Sequence, residues 1–207
     1  KKEELLSKFF GYFVGEGRLY ERYSKRGLHQ RRLGFTFGID EQEIINDCKS
    51  ICKQLFKKEL LTYKEKSSKK CISLYMDLNK ELFSMIKDEL VLNKYSEKYI
   101  RTLALTHKVP DLILNGNKKI FTSFLTTYFD SEGTVGRIIG VTTISKQLSD
   151  GVCYVLRKLG IQYSYSTMPP NPKHKLVHRR HTITIGLNGF EQFSKEIGMM
   201  QQSALQK

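Results

Sequence analysis

Several familiar features are missing from these 207 residues. No apolar run approaches the roughly 18–20 residues that a membrane-spanning helix needs. No basic stretch followed by an apolar core and a small-residue cleavage site opens the chain, so it carries no secretory signature. The first residue is Lys1 rather than Met, which leaves room for a natural start upstream. Cysteine is scarce: Cys48, Cys52, Cys71 and Cys153 form no C-x-x-C pair and have no His at zinc-finger spacing. That argues against a disulfide scaffold or structural zinc, and the four read as reduced, half-buried residues of an intracellular protein. Acidic residues are also short, Asp+Glu 21 against Lys+Arg 35, for a net charge of +14. An excess of this size points to a polyanionic partner unless it only reflects a lysine-rich proteome; the positions of the basic residues decide between the two. The length suits one large domain or two small ones.

What the chain does have is written twice. "SKFFGYFVGEG" (7–17) lies over "SFLTTYFDSEG" (123–133), with Ser7, Tyr12, Phe13, Glu16 and Gly17 matching Ser123, Tyr128, Phe129, Glu132 and Gly133. Ser7, Gly11 and Gly15 are four apart, as are Ser123, Thr127 and Ser131, so each stretch carries one face of small side chains on a helix. Such faces let two helix backbones approach closely. Further on, "ISLYMDLNKELFS" (72–84) resembles "ITIGLNGFEQFS" (183–194), each an alternating strand followed by a helix opening at a candidate N-cap, Asn79 or Asn188. The unit reads helix, strand, strand, helix, strand, strand, helix. The first copy is expected near 3–14, 17–23, 29–38, 41–58, 60–66, 71–78 and 79–89. The second is expected near 117–130, 133–138, 139–144, 145–159, 161–168, 177–187 and 188–198. The fold class is therefore α+β, with tandem pseudo-twofold αββαββα repeats at 1–92 and 117–207 and a linker at 93–116. "VPDLILNG" in that linker reads as a turn and a short helix. The first hairpin of copy one is about ten residues longer than its counterpart, so the halves contact any shared partner asymmetrically.

The basic residues cluster on the hairpins: Arg18, Arg22, Lys25, Arg26, Arg31 and Arg32 on the first, and Lys64, Lys66, Lys69 and Lys70 on the second. Arg137 lies on the third; Lys173, Lys175, Arg179 and Arg180 lie on the fourth with His174, His178 and His181. Strand alternation sorts the faces. Leu33, Phe35 and Phe37 oppose Gln30, Arg32 and Thr36; Ile72, Leu74 and Met76 oppose Ser73 and Tyr75. Ile183, Ile185 and Leu187 oppose His178, Arg180, Thr182 and Thr184. One face of each sheet is core, and the other carries the side-chain types that read base edges and phosphates. A two-stranded ribbon fits the major groove of B-DNA.

Two helices packed along their small faces bring their C-terminal ends together, and Glu16 and Glu132 then meet on the pseudo-twofold axis. Adjacent carboxylates repel unless a proton or a cation lies between them. Under a basic surface the natural cation is Mg²⁺, which takes oxygen ligands from one or two carboxylates with phosphate and water.

"FGYFVGEG" and "LTTYFDSEG" resemble the two motifs of the LAGLIDADG homing endonucleases in their single-chain, two-repeat form, and the duplicated layout extends the resemblance over nearly the whole chain. The resemblance implies two antiparallel, saddle-shaped sheets backed by helices and seated on double-stranded DNA. It implies hydrolysis of both strands of a long, asymmetric site by a monomer, inside the cell wherever the host DNA lies. It implies metal ligation by Glu16 and Glu132, with the carbonyl of Gly15 or Ser131 joining, for Mg²⁺ or for Mn²⁺ or Ca²⁺ in the same place. An RNA maturase acting on its host intron and a DNA-binding regulator are the alternatives on this scaffold; a regulator would have lost the acids and added a helix-turn-helix, and neither is the case in this sequence. The sequence departs from the family in having Val14 where Asp130 stands in the second motif. Thr127 and Ser131 replace the commoner Gly or Ala, which implies a slightly wider helix crossing. Where many members place Gln or Lys after the second strand, it reads "FGID" (37–40) and "TISK" (143–146), with Gln30, Arg137 and Lys146 as substitutes.

Overall fold

The computed structural model describes residues 1–23, 29–63, 70–90, 100–101, 104–135, 138–171 and 177–198. The first repeat runs α1 (Lys2–Glu16), β1 (Gly17–Tyr23), β2 (His29–Gly38), α2 (Gln42–Phe56), β3 (Leu61–Tyr63), β4 (Cys71–Asp77) and α3 (Lys80–Leu90). The linker contributes β5 (Ile100–Arg101), a 3₁₀ turn (Ala104–Thr106) and α4 (Asp111–Leu114). The second repeat follows as α5 (Lys118–Glu132), β6 (Thr134–Val135), β7 (Ile139–Thr143), α6 (Lys146–Lys158), β8 (Ser164–Met168), β9 (Arg180–Ile185) and α7 (Leu187–Glu196). No helix of the described residues is long and apolar enough to cross a membrane.

The strands form two antiparallel sheets, ordered β3-β4-β2-β1-β5 and β6-β7-β9-β8. The four strands of each repeat take equivalent places, and β5 is an addition that the repeat does not contain. It extends the first sheet by pairing Tyr20 with Arg101 and Glu21 with Ile100. The hairpins differ as their lengths require: β1 and β2 pair over seven residues, from Gly17↔Phe35 to Tyr23↔His29, whereas among the described residues β6 and β7 pair at Thr134↔Gly140 and Val135↔Ile139.

A single core spans both repeats. Helix α1 buries aromatic residues on nearly every side: Phe9, Phe10, Tyr12 and Phe13 are all within 2% of complete burial. Each such side chain contributes roughly 1.5–3 kcal/mol of apolar burial, enough to outweigh the low helix propensity of Gly11 and Gly15. Tyr12 keeps its hydroxyl satisfied by donating to Asp47 Oδ2 (3.0 Å). The inward strand faces are as the alternation requires, with Leu33, Phe35, Phe37, Ile72, Leu74, Met76, Ile183 and Ile185 all buried.

Three expectations need correction. Leu187 is not a core residue; β9 ends at Ile185, and Leu187 opens α7 in an 85% exposed position. Asn188 is not an N-cap, because Gly186 holds that place with no side-chain cap, whereas Asn79 does cap its helix through Leu82 N–H (2.9 Å). None of the four cysteines is half-buried: Cys48, Cys52 and Cys153 are buried and Cys71 is exposed.

Candidate metal centre and nucleic-acid interface

The site is built by α1 and α5. Ser7 Oγ donates to the Ile120 carbonyl (2.7 Å), and Thr127 Oγ1 donates to the Lys8 carbonyl (2.8 Å). A Cβ placed at Gly11 would overlap Thr127 Oγ1 and the Phe124 carbonyl; one at Gly15 would overlap Ser131 Oγ and approach Glu132 Cγ. Contacts that climb both helices in the same direction mean that the helices run parallel, so their C-termini converge. Thr127 and Ser131 occupy the space opposite the two glycines, and the hydroxyl that replaces a small residue on one helix meets a missing side chain on the other.

Glu16 and Glu132 are the last residues of these helices, and both are half-buried. Gly17 and Gly133 close the helices by donating to the carbonyls of Phe13 and Phe129. A Cβ at Gly17 would strike Phe13, so the tight exit into β1 requires glycine there. Both sheets therefore begin at the acid pair. Burial, the neighbouring Glu132 and Glu41 push the Glu16 carboxyl up to about 8, with Arg18 opposing. Burial and Glu41 push Glu132 up to about 7.

Two helix C-termini that converge also bring together unsatisfied carbonyls and two partial negative charges. Gly15 and Ser131 lie in those last turns; the Ser131 hydroxyl is turned inward, donating to the Tyr128 carbonyl (3.1 Å). Two carboxylates that disfavour their own charge, together with the last-turn carbonyl oxygens of the two helices, form a hard-oxygen donor set suited to a divalent cation. Among the described residues no three His, Cys, Asp or Glu side chains gather closely enough to hold one ion. A cation here would complete its shell with water or phosphate oxygens.

Two nearby residues went unread in the sequence. Glu41 precedes α2 and accepts from Gly38 N–H (2.5 Å). Only the folded chain brings it within electrostatic reach of both acids. His107, from the linker, is fully buried and bonds through Nδ1 to the Val14 carbonyl (3.0 Å), which only accepts, so Nδ1 carries the proton. Its own carbonyl accepts from Ser145 Oγ (2.6 Å), the N-cap of α6, so His107 ties the end of the first motif helix to the second repeat. Burial holds its imidazole below the usual range, hence neutral.

The polar sheet faces lie on either side. In the first sheet Arg18 crosses over Gly34 to donate to Ser73 Oγ (3.3 Å), and its guanidinium lies 5.3 Å from the Tyr20 ring. Arg32 bonds Asp77 Oδ1 through Nε (2.7 Å) and lies over Tyr75 (4.8 Å). Gln30, exposed, sets its side-chain amide against the same guanidinium; assigned with its oxygen turned to these donors, the amide accepts from Nη2 (2.5 Å). Arg22 pairs across the hairpin with Gln30, and Lys70 is exposed at the start of β4. In the second sheet Thr182 shares a hydrogen bond with Thr142 (3.1 Å), Arg180 Nη2 donates to Met168 Sδ (2.6 Å), and His178 is exposed. His181 points to the core side, bonding Tyr165 through Nδ1 (2.6 Å). Lys146 is engaged with both carboxylate oxygens of Asp150 (2.6 and 2.9 Å). Lys64, Lys66, Lys69 and Arg137 fall outside the described residues.

Comparison with known proteins agrees with this geometry. Residues 121–198 match the LAGLIDADG-like domain family. The homing endonuclease I-DmoI, solved in complex with DNA and Ca, superposes with a TM-score of 0.70 at 16% identity, over 99% of this chain and 98% of that one. Its complex with DNA and Mn gives 0.66 at 16% identity, over 96% and 98%. The N-terminal LAGLIDADG domain of DUF199/WhiA gives 0.58 at 14% identity, over 96% and 82%. Two curated relatives come from Methanocaldococcus jannaschii: an uncharacterized protein 25% identical over 94% of this chain, and a DNA polymerase 27% identical over 89% of it. The chain spans 21% of the length of the first and 11% of the second. The resemblance read from the two motifs thus holds. The chain has the LAGLIDADG fold in its single-chain, two-repeat form, and its second repeat matches the LAGLIDADG-like domain family.

Proposed function

We propose that the chain is a site-specific DNA endonuclease that hydrolyses both strands of a long, asymmetric duplex target with a divalent cation. The observation that carries this reading is that Glu16 and Glu132 close two parallel helices where both sheets begin, with Glu132 near enough to push the Glu16 carboxyl up. The fold alone does not decide for cleavage, since it occurs in I-DmoI and in WhiA alike; the acid pair favours it. The I-DmoI complexes with DNA and Mn or Ca lend support for duplex DNA as the partner and a divalent ion as the cofactor.

Glu16 and Glu132 would hold Mg²⁺ or Mn²⁺, with the carbonyls of Gly15 and Ser131 as further donors. When bound, the ion supplies an acidified water and stabilises the leaving oxygen of a phosphodiester. The chain's own residues place the DNA. Arg18, Arg22, Gln30, Arg32, Lys64, Lys66, Lys69 and Lys70 serve one half-site. Arg137, His178, Arg180 and Thr182 serve the other. Since one chain supplies both acids, it acts as a monomer, inside the cell where its DNA lies. The test is incubation with a duplex carrying the uninterrupted form of the chain's own locus. Cleavage of both strands with Mg²⁺ and none with a chelator is expected. Sequence-specific binding without cleavage under any divalent ion would overturn the enzyme reading and leave a DNA-binding protein.

A further inference from the structure

The polar face of the first sheet has an acidic residue where a phosphate-binding surface should avoid one. Asp77, the last residue of β4, stands directly opposite Arg32 on β2. Its side chain is 64% exposed and Arg32's is 37% exposed, and Nε lies 2.7 Å from Oδ1. An ion pair this open adds almost nothing to stability. On a surface facing polyanionic DNA, its negative charge also opposes binding. What the pair does achieve is orientation. Arg32 is held from three sides: Asp77 at Nε, the ring of Tyr75 4.8 Å beneath, and the Gln30 amide oxygen at Nη2. A guanidinium gripped through its Nε edge and seated over an aromatic ring is fixed in orientation, which leaves its Nη1–Nη2 end to make contacts outward. That is the arrangement needed for two parallel hydrogen bonds to guanine O6 and N7.

We propose that Asp77 is a specificity-determining residue that does not itself read a base: it fixes Arg32, on the platform of Tyr75, for recognition of one guanine in the half-site under the first repeat. The inference rests on the DNA-binding reading above. Without Asp77 the guanidinium is free to swing onto neighbouring phosphates, exchanging base readout for sequence-independent attraction. The sign of the effect is therefore distinctive, because losing Asp77 lowers discrimination while raising affinity for DNA in general.

The experiment uses the full chain in Ca²⁺. A preferred site is first selected from a randomised duplex library, and binding is then titrated against every single-base variant of that site and against a random-sequence duplex. Arg32→Ala is expected to flatten preference at one G·C position by about tenfold or more. Asp77→Ala and Asp77→Asn are expected to flatten the same position, and both should bind random duplex more tightly than the wild type. The asparagine variant preserves the shape of the side chain and guards against a folding defect. Full discrimination at that position in both Asp77 variants overturns the proposal. So does relaxation at a different position from the one that Arg32→Ala relaxes, which would make Asp77 a direct reader of cytosine. Uniform weakening by Arg32→Ala moves Arg32 to the phosphates; it overturns the proposal while DNA binding stands. Failure of the wild type to bind any duplex overturns the DNA reading itself.

Discussion

At the scale of single residues, the molecule concentrates its electrostatic tension on two carboxyl groups. Glu16 and Glu132 titrate near 8 and 7 instead of at the ordinary 4.5 because they are half-buried with acidic neighbours. The folded chain therefore holds more protons than the unfolded chain between about pH 4.5 and 8. The stabilisation is complete below the unfolded value, falls progressively as pH rises above it, and is fully lost once pH passes the folded values of about 7 and 8. Thermal melting of the metal-free protein should show a midpoint that falls between pH 6 and 9. Glu16→Gln should flatten that slope and raise the midpoint at pH 9. A divalent ion needs both groups deprotonated, so its binding releases protons and tightens as pH rises across the same window, which Mn²⁺ titration at pH 6.5 and 8.5 would measure. A wild-type midpoint independent of pH, or Mn²⁺ affinity equal at the two pH values, would show that the acids are not the coupled pair described.

At the scale of elements, the α1–α5 contact decides where those carboxyls stand. Gly11 faces the Phe124 carbonyl, which cannot move aside as a flexible side chain can. Gly11→Ala should cost about 1–3 kcal/mol in a urea titration, by overpacking. His107→Phe keeps a ring against Phe13 but leaves the Val14 carbonyl unpaired, for a loss of about 1–3 kcal/mol. Urea midpoints unchanged by either substitution would contradict the packing. Most of the elements were legible in the sequence because their signals are local. Alternation gave β1 and β2 at 17–23 and 29–38, their observed limits, and the small-residue spacing gave the helix contact. What could not be read depends on distant partners. The two-residue β5 has no periodicity and exists because β1 offers an edge. Leu187 fits strand alternation, but the chain turns into α7 before reaching it. His107 looks like an ordinary linker residue until folding sets it beside Val14, and Asp77 looks like a strand-end acid until the register places it across from Arg32. The acid pair itself was legible because duplication wrote it twice.

At the scale of the whole molecule, a pseudo-twofold scaffold carries two unlike faces. The long first hairpin and β4 give one sheet arginine and tyrosine, including Arg18, Tyr20, Arg32 and Tyr75. The described face of the other carries mainly hydroxyls, among them Thr142, Thr182, Ser164 and Ser166. Such a molecule suits an asymmetric target, and because one chain supplies both acids, sedimentation should find one chain per duplex; a two-chain complex as the smallest active species would contradict this. The central claim is that the two helix-end acids form a single metal centre acting on DNA. Its most direct test is to measure, on one target duplex, both cleavage and binding by the wild type, Glu16→Gln and Glu132→Gln. Neither variant should cut both strands, and both should bind within about tenfold of the wild type, roughly 1.4 kcal/mol. Cleavage of both strands at the wild-type rate by either variant would contradict it.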